Sequence, residues 1–235
     1  MNFGGVLLTL TGNERIDRRI NIKYPIEETK FHKLIVGLIR VLFKSIMQLE
    51  ITGENNLPEK GAVIVAGNHV TNLDIFPLQL AIHRPIFYMG KAELFMNPIM
   101  HATFRNLGAF PVYRGEKDEW AMMHSKRILN AGQVLGMFPE GTRSRGHGLK
   151  VAKTGAARLA IEIGCPIVPI GIDGSHTFFK QFPHRNIVRI KIGKPVCAES
   201  GELPIGLTDR IMYELARNLP TELRGVYGHF PEDEK

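Results

Sequence analysis

The sequence predicts a single α/β domain with a mostly parallel, mixed sheet flanked by helices. Its 235 residues, 44% of them hydrophobic and 23% charged, are enough to bury one full core. From residue 53 onward, short apolar runs alternate with segments whose apolar residues recur every three or four positions. This order is typical of a parallel sheet covered on both faces. The predicted strands are 62–66, 85–89, 109–113, 134–138, 167–172 and 187–192, and the predicted helices are 73–82, 116–130, 151–163 and 207–219.

The segment before this domain, residues 1–52, is predicted to be a basic lead-in followed by an amphipathic helix over 31–51. Apolar residues form one wide face of that helix, and Lys33, Arg40 and Lys44 form a thin basic stripe opposite. Such a helix suits a lipid interface, with its cations among anionic headgroups. Two alternatives stay open, an ordinary helix packed on the domain and a membrane span. The charges of Arg40 and Lys44 near the middle count against a span.

Composition narrows the partners and the compartment. The net charge of +7 favours anionic partners. Because the chain lacks a Lys/Arg block and a recognisable motif with a nucleic-acid recognition helix, phosphate esters and acidic lipids are favoured over nucleic acid. Cys165 and Cys197 do not make a disulfide framework, and no Cys/His cluster has metal spacing. Residues 1–10 lack the pattern of a secretory signal, and no stretch has the apolar length of a confident span. We therefore expect a peripheral or monotopic protein at the cytoplasmic face of the cell membrane.

A candidate catalytic pair follows the strand predicted at 62–66. His69 falls in the loop after it, and Asp74 falls in the first turn of the next predicted helix. A carboxylate can accept the proton of one imidazole nitrogen and leave the other nitrogen as a general base. No G-x-S-x-G elbow is present, so we expect the base to activate a substrate hydroxyl directly. On spacing alone, an equal alternative is that Asp74 or Asn72 merely caps the helix and that His69 is an ordinary loop residue.

A second constellation, FPEGTRSRG at 138–146, follows the strand predicted at 134–138. Its glycines allow close backbone approach, Thr142 and Ser144 carry hydroxyls, and Arg143 offers a planar fork that matches phosphate. This composition favours an anion site over a turn with solvated arginines. Glu140 either orders the guanidinium groups or hydrogen-bonds a glycerol hydroxyl. Two further cations that lie close after predicted strands are weaker phosphate candidates, Arg114 and Lys91.

Together these segments resemble the glycerolipid acyltransferase family, whose best known members are the 1-acylglycerol-3-phosphate O-acyltransferases. That family carries four ordered blocks, NH-x-S/T-x-x-D, G-x-F-x-x-x-R, FPEGTRS and V-P-I/V. All four are present here in order, at 68–74, 108–114, 138–144 and 168–170. The resemblance covers residues 53–194. One departure is Thr71, where serine is commoner, and it keeps the hydroxyl.

The resemblance implies a reaction and a role for each matching residue. His69 deprotonates the acceptor hydroxyl, which attacks the thioester carbonyl of acyl-CoA or acyl-carrier protein, and Asp74 orients and supports the imidazolium. The product is phosphatidic acid, formed at the sn-2 hydroxyl of 1-acylglycerol-3-phosphate. No metal and no tightly bound cofactor is implied, since the acyl thioester is a co-substrate. The residues implied to bind the glycerol phosphate are Arg114, Glu140, Gly141, Thr142 and Arg143, with Lys91 as a further candidate.

Three alternatives to this function stay open. In the first, the enzyme acylates glycerol-3-phosphate or another lysolipid. In the second, it is a thioesterase that passes the acyl group to water. In the third, the chain is a non-catalytic lipid-binding protein of the same fold. The arginines of the third block fit a free phosphate monoester best. An intact His69 and Asp74 argue against a binding module, because binding needs neither.

Overall fold

A mixed sheet runs through the computed structural model, which describes residues 17–115, 117–177 and 184–230. The seven strands of this sheet lie in the order β1-β7-β6-β2-β5-β3-β4, and every neighbouring pair is parallel except β6 and β7. The predicted α/β domain with a mostly parallel mixed sheet is confirmed. The strands are β1 (Met47–Thr52), β2 (Val63–Gly67), β3 (Ile86–Lys91), β4 (Ala109–Val112), β5 (Val134–Met137), β6 (Ile167–Asp173) and β7 (Asn186–Ile192).

Helices cover both faces of the sheet. Central strand β2 is buried throughout, and its residues alternate between two hydrophobic cores, one on each face. Helices α1 and α2 cover one core, and α4, α5 and α6 cover the other. The helices are α1 (Lys30–Ile46), α2 (Ile75–Ala81), α3 (Pro98–Asn106), α4 (Glu119–Asn130), α5 (Gly155–Ile163) and α6 (Pro204–Arg217).

The helix predicted over 31–51 is wrong in its second part. Helix α1 ends at Ile46, and Met47 begins strand β1, whose six residues pair in parallel with β7. Apolar residues at 46 and 49 fit helical spacing, so periodicity favoured a longer helix, whereas the free edge of β7 favours a strand. The predicted domain boundary between residues 52 and 53 stays a prediction. Strand β1 before it and the strands after it share one sheet. The expectation for residues 1–10 falls outside the described residues.

Helix α3 was not predicted, although its start carries a clear signal. Asn97 precedes it, and the Asn97 side chain accepts hydrogen bonds from the N–H groups of Ile99 and Met100. Pro98 occupies the first turn, where a missing N–H costs nothing. A cap followed by proline is thus a stronger indicator of this short helix than its weak apolar periodicity.

Candidate active site

His69 and Asp74 meet in the loop between β2 and α2. The His69 Nδ1 atom lies 2.8 Å from Asp74 Oδ2, and both side chains are buried. A carboxylate at this distance accepts the proton of Nδ1, which leaves Nε2 as the unprotonated nitrogen of a neutral ring. Nε2 has no hydrogen-bond partner among the described residues, and it is not one of their fully buried unpaired atoms. The free nitrogen therefore reaches solvent, as a general base must.

Asp74 is held by four donors besides His69. Its Oδ2 accepts the N–H groups of Val70 and Thr71 at 2.7 and 2.8 Å, and its Oδ1 accepts the hydroxyls of Thr71 and Ser175 at 3.1 and 2.6 Å. These bonds compensate the burial of a carboxylate that has no exposed surface. Asp74 directly precedes α2 but makes no side-chain capping bond to it. Asp74 therefore does not act as a simple helix cap.

Contacts with β6 and the residues just after it complete this framework. Ser175 follows β6, and sequence reasoning missed it because only the fold brings it to Asp74. Asn68 closes a two-way contact with Ile172 of β6, donating to its carbonyl at 2.8 Å and accepting its N–H at 2.7 Å. The loop that carries His69 is thus tied to the end of the neighbouring strand.

The His69 ring is also fixed by the loop after β5. It stacks on Phe138 with 4.1 Å between ring centroids and 18° between planes. Its backbone N–H donates to Glu140 Oε1 at 3.0 Å, and its carbonyl accepts the N–H of Ser144 at 2.7 Å. The first and third sequence blocks are therefore one structural unit, in which the third block holds the histidine.

Glu140 contacts the backbone of two loops, and its predicted contact with the glycerol phosphate stays a prediction. Its side chain is buried, and its second oxygen accepts the N–H of Lys150 at 3.1 Å. Burial raises the pKa of Glu140, although the hydrogen bonds from the His69 and Lys150 backbone oppose that rise. With both oxygens engaged by backbone, Glu140 ties the two loops together and does not line the neighbouring cleft.

An open cleft of about 840 Å³ lies beside this pair, at the carboxyl ends of β3, β4 and β5. Phe138, which stacks on His69, is part of its wall. Much of the lining of the cleft is apolar, and its apolar side chains include Met89, Val112, Met122 and Met137. A mixed apolar and cationic cleft next to the His69–Asp74 pair fits an amphiphile with an anionic group.

The cleft carries a surplus of positive charge. Its three carboxylates are all engaged in ion pairs, Glu119 with Lys117 at 3.3 Å, Glu162 with Lys126 at 2.5 Å, and Asp118 with Arg19 at 2.6 Å. Three lining cations have no carboxylate partner among the described residues, namely Arg114, Lys153 and Arg158. Such cations beside low-dielectric walls favour an anionic ligand.

The other predicted phosphate residues are spread around this cleft. Gly141 lines it with φ 66°, and a Cβ there would lie 3.1 Å from Lys153 Cε, so glycine suits both backbone and space. Thr142 and Arg143 are outside the lining, as is Lys91, which pairs with Glu93 at 2.8 Å. The sequence pattern did not identify Lys153, because a contact between loop residues brings it to the cleft. Its backbone N–H donates to the Pro139 carbonyl at 2.9 Å.

Within the described ranges, no group of three or more His, Cys, Asp or Glu side chains is placed to hold a metal ion.

Comparison with known proteins places the chain among acyltransferases. The family model described as Acyltransferase matches residues 48–173, more than half of the chain. The 1-acyl-sn-glycerol-3-phosphate acyltransferase of Borreliella burgdorferi is 29% identical over 135 residues, covering 57% of this chain and 54% of that protein. The enzyme of that name from Bacillus subtilis is 26% identical over 166 residues, covering 70% and 82%. The one from Haemophilus influenzae is 31% identical over 137 residues, covering 57% and 55%.

The chain thus spans about half the length of two of these three relatives. A solved structure, the 1-acyl-sn-glycerophosphate (LPA) acyltransferase PlsC from Thermotoga maritima, has the same fold. The TM-score is 0.61 at 24% identity, over 77% of this chain and 76% of that one. Since the family match covers the strands and loops that carry His69, Asp74 and Glu140, the chain belongs to the acyltransferase family.

Proposed function

We propose that this protein is a 1-acylglycerol-3-phosphate O-acyltransferase. It transfers a fatty acyl group from an acyl thioester to the sn-2 hydroxyl of 1-acylglycerol-3-phosphate and gives phosphatidic acid for phospholipid synthesis. The observation that carries the proposal is the His69–Asp74 pair beside a cleft in which three cations have no carboxylate partner among the residues that the structure describes. Three similar proteins named for this activity support it.

In the proposed mechanism, His69 acts on the acceptor hydroxyl itself. Nε2 takes the hydroxyl proton as the oxygen attacks the thioester carbonyl, so that a C–O bond forms and a tetrahedral oxyanion develops. When the oxyanion collapses, the C–S bond breaks and the thiolate takes the proton back from the imidazolium. A base placed in this way contributes about 10²–10⁴-fold to the rate. Asp74, with its five donors, supports the imidazolium without moving.

The acceptor phosphate lies against the cationic part of the cleft. Arg114 offers a bidentate fork after β4, and Lys153 adds a second charge beside Gly141. Holding the phosphate there fixes the position of the sn-2 hydroxyl relative to His69, and orientation of this kind contributes strongly to rate. The methionine-rich part of the cleft wall gives the acyl chains an apolar environment.

The donor is acyl-CoA or acyl-carrier protein, both of which present the same thioester carbonyl. The base and the good leaving group supply the chemistry, so the reaction as proposed requires no metal and no tightly bound cofactor.

The protein binds an anionic membrane surface on the cytoplasmic face of the membrane, and the composition of helix α1 supports this part of the proposal. Phe43 packs into the core, whereas the outer face of α1 exposes a row of apolar side chains, Phe31, Leu34, Leu38, Val41 and Leu42. Exposed lysines and an arginine flank that row. This combination suits peripheral or monotopic binding. Among the described residues, no helix combines the length and the apolar composition needed to cross a bilayer.

The decisive experiment measures thiol release from an acyl-CoA in detergent micelles, with and without lysophosphatidic acid. Release that requires the acceptor, with phosphatidic acid as the product, is the expected result. Release without acceptor would indicate a thioesterase. Glycerol-3-phosphate and a lysolipid with a larger headgroup test the acceptor, and acyl-carrier protein tests the donor. A folded protein that is silent with every combination would contradict the proposal.

A further inference from the structure

The turn that carries Arg114 is closed by one carboxylate. Arg114 lies between the end of β4 and the start of α4, and Asp118 reaches across this turn. Its Oδ2 accepts the N–H of Tyr113 at 2.8 Å, and its Oδ1 accepts the N–H of Ala121 at 2.9 Å, which caps α4. The position of Asp118 therefore sets the direction in which the turn presents Arg114 to the cleft.

Arg19, almost one hundred residues earlier in the chain, holds that carboxylate. Its guanidinium donates to Asp118 Oδ2 at 2.6 Å and to Oδ1 at 3.0 Å, a bidentate pair. It also donates to the Pro111 carbonyl in β4 at 3.1 Å, and it lies 4.4 Å from the Tyr113 ring centroid and 4.6 Å from that of Trp120. The side chains of Arg19 and Asp118 are only 9% and 4% exposed, so water screens this pair weakly.

The segment that delivers Arg19 is itself anchored. Asp17 accepts from Nε of the same guanidinium at 2.8 Å, on the side away from the turn. Tyr24 is buried in the core on the α4 side, with its ring 5.2 Å from that of Trp120 and its hydroxyl 2.9 Å from His101 Nε2. The segment around residues 17–24 is therefore fixed to the same part of the domain as the turn.

We propose that Arg19 is a positioning residue for acceptor binding, which acts by fixing the turn that presents Arg114 to the acceptor phosphate. The inference rests on the proposed function, in which Arg114 binds that phosphate. Its physical basis is that one planar guanidinium satisfies both oxygens of Asp118, the Pro111 carbonyl and two ring faces at once. A lysine ammonium, a point charge without a planar fork, cannot reproduce that set.

The test is Arg19→Lys, assayed by acceptor-dependent thiol release. We expect the KM for lysophosphatidic acid to rise about five- to tenfold, with kcat and the KM for the thioester changed by less than about twofold. That pattern is expected when a contact made equally in the ground and transition states is weakened. Arg19→Gln, whose amide nitrogen corresponds to the Nε atom that faces Asp17, lacks both terminal nitrogens that donate to Asp118 and is a second variant with the same expected direction.

A matched control is Arg84→Lys. Arg84 also joins loops, donating to the carbonyls of Pro58, Gly61 and Gly132 at 2.7–2.8 Å. It does so at the amino ends of β2, β3 and β5, whereas the cleft lies at the carboxyl ends of the strands. We expect it to lower the thermal midpoint as much as Arg19→Lys does and to leave the acceptor KM unchanged. Equal effects of both variants on KM would show a general loss of stability and overturn the proposal.

A double variant tests whether Arg19 acts through Arg114. If it does, Arg19→Lys adds no further rise in acceptor KM to an Arg114→Ala protein, because coupled residues are not additive. Additive effects would overturn the proposal. Amide hydrogen exchange over 111–119 provides a readout besides activity, and we expect faster exchange in Arg19→Lys than in Arg84→Lys.

The outcomes separate the two levels of the argument. A wild-type protein without acceptor turnover would refute the proposed function, and with it the role of Arg19. An active wild-type protein whose Arg19→Lys variant keeps the wild-type acceptor KM would refute the role of Arg19 alone.

Discussion

Asp74→Asn isolates the charge behind the proposed base. The amide oxygen can take the position of Oδ2, where the N–H groups of His69, Val70 and Thr71 require an acceptor. The amide nitrogen then faces the hydroxyls of Thr71 and Ser175, which can rotate to accept. The variant should therefore fold and keep the His69 ring in place, while losing the negative charge.

The expected loss of rate follows from the hydrogen bond and the charge. Replacing a charge-assisted hydrogen bond by a neutral one costs about 1–2 kcal/mol. The attraction between an imidazolium and a carboxylate is about 4 kcal/mol when their charges lie about 4 Å apart at an effective dielectric near 20. A barrier raised by about 2–4 kcal/mol lowers kcat about 30- to 1000-fold. The assay is acceptor-dependent thiol release at saturating substrates, with circular dichroism to establish folding.

Two other variants bracket this result. His69→Ala removes the base and should cost at least about 10²-fold. Ser175→Ala removes one donor to Asp74 Oδ1 but keeps the charge, so we expect a loss of no more than about tenfold. A folded Asp74→Asn protein with more than half of the wild-type kcat would refute the charge argument. A loss no larger than that of Ser175→Ala would refute it equally.

The remaining predictions concern the acceptor, pH and the membrane. Lys153→Ala should raise the KM for lysophosphatidic acid roughly tenfold with little change in kcat, because it removes a cation of the cleft that has no carboxylate partner in the described part of the chain. An unchanged KM would exclude Lys153 from the acceptor site. Burial lowers the pKa of His124 to about 4, and its Nε2 atom has no hydrogen-bond partner within the described ranges. The unfolded chain therefore binds a proton at His124 below about pH 6.5, whereas the folded protein binds it only near pH 4. Between pH 7 and pH 4, the free energy of unfolding of the wild-type protein should therefore fall by up to roughly 3 kcal/mol more than that of His124→Phe. Urea unfolding at both pH values measures this difference, and equal falls in the two proteins would contradict the prediction. The double change Leu34→Glu and Leu38→Glu on the exposed face of α1 should abolish sedimentation with anionic vesicles. The control is Ile205→Glu at a similarly exposed position on α6, which should leave sedimentation unchanged. Equal effects would count against α1 as the membrane-binding surface.

The tertiary structure places the residues of the predicted site in different surroundings. Glu140 and Arg143 belong to one sequence block, yet Glu140 is buried under the backbone of the His69 loop and Arg143 lies outside the cleft. Lys153 and Ser175 carry no local signal, because they join the site only through the return of the loop after β5 and the approach of β6. Arg19 lies in a segment that the sequence showed only as a basic lead-in.

The sequence by itself determined the fold class and the pairing of His69 with Asp74. Alternation of buried strands with amphipathic helices is a local pattern, and His69 and Asp74 are five residues apart, so short-range geometry brings them together. The strand identity of 47–52, the true position of Glu140 and the contact between Arg19 and Asp118 depended on partners far away in the chain. Only the folded chain decided these features, because hydrogen bonds and ion pairs between distant residues depend on packing that local periodicity does not record.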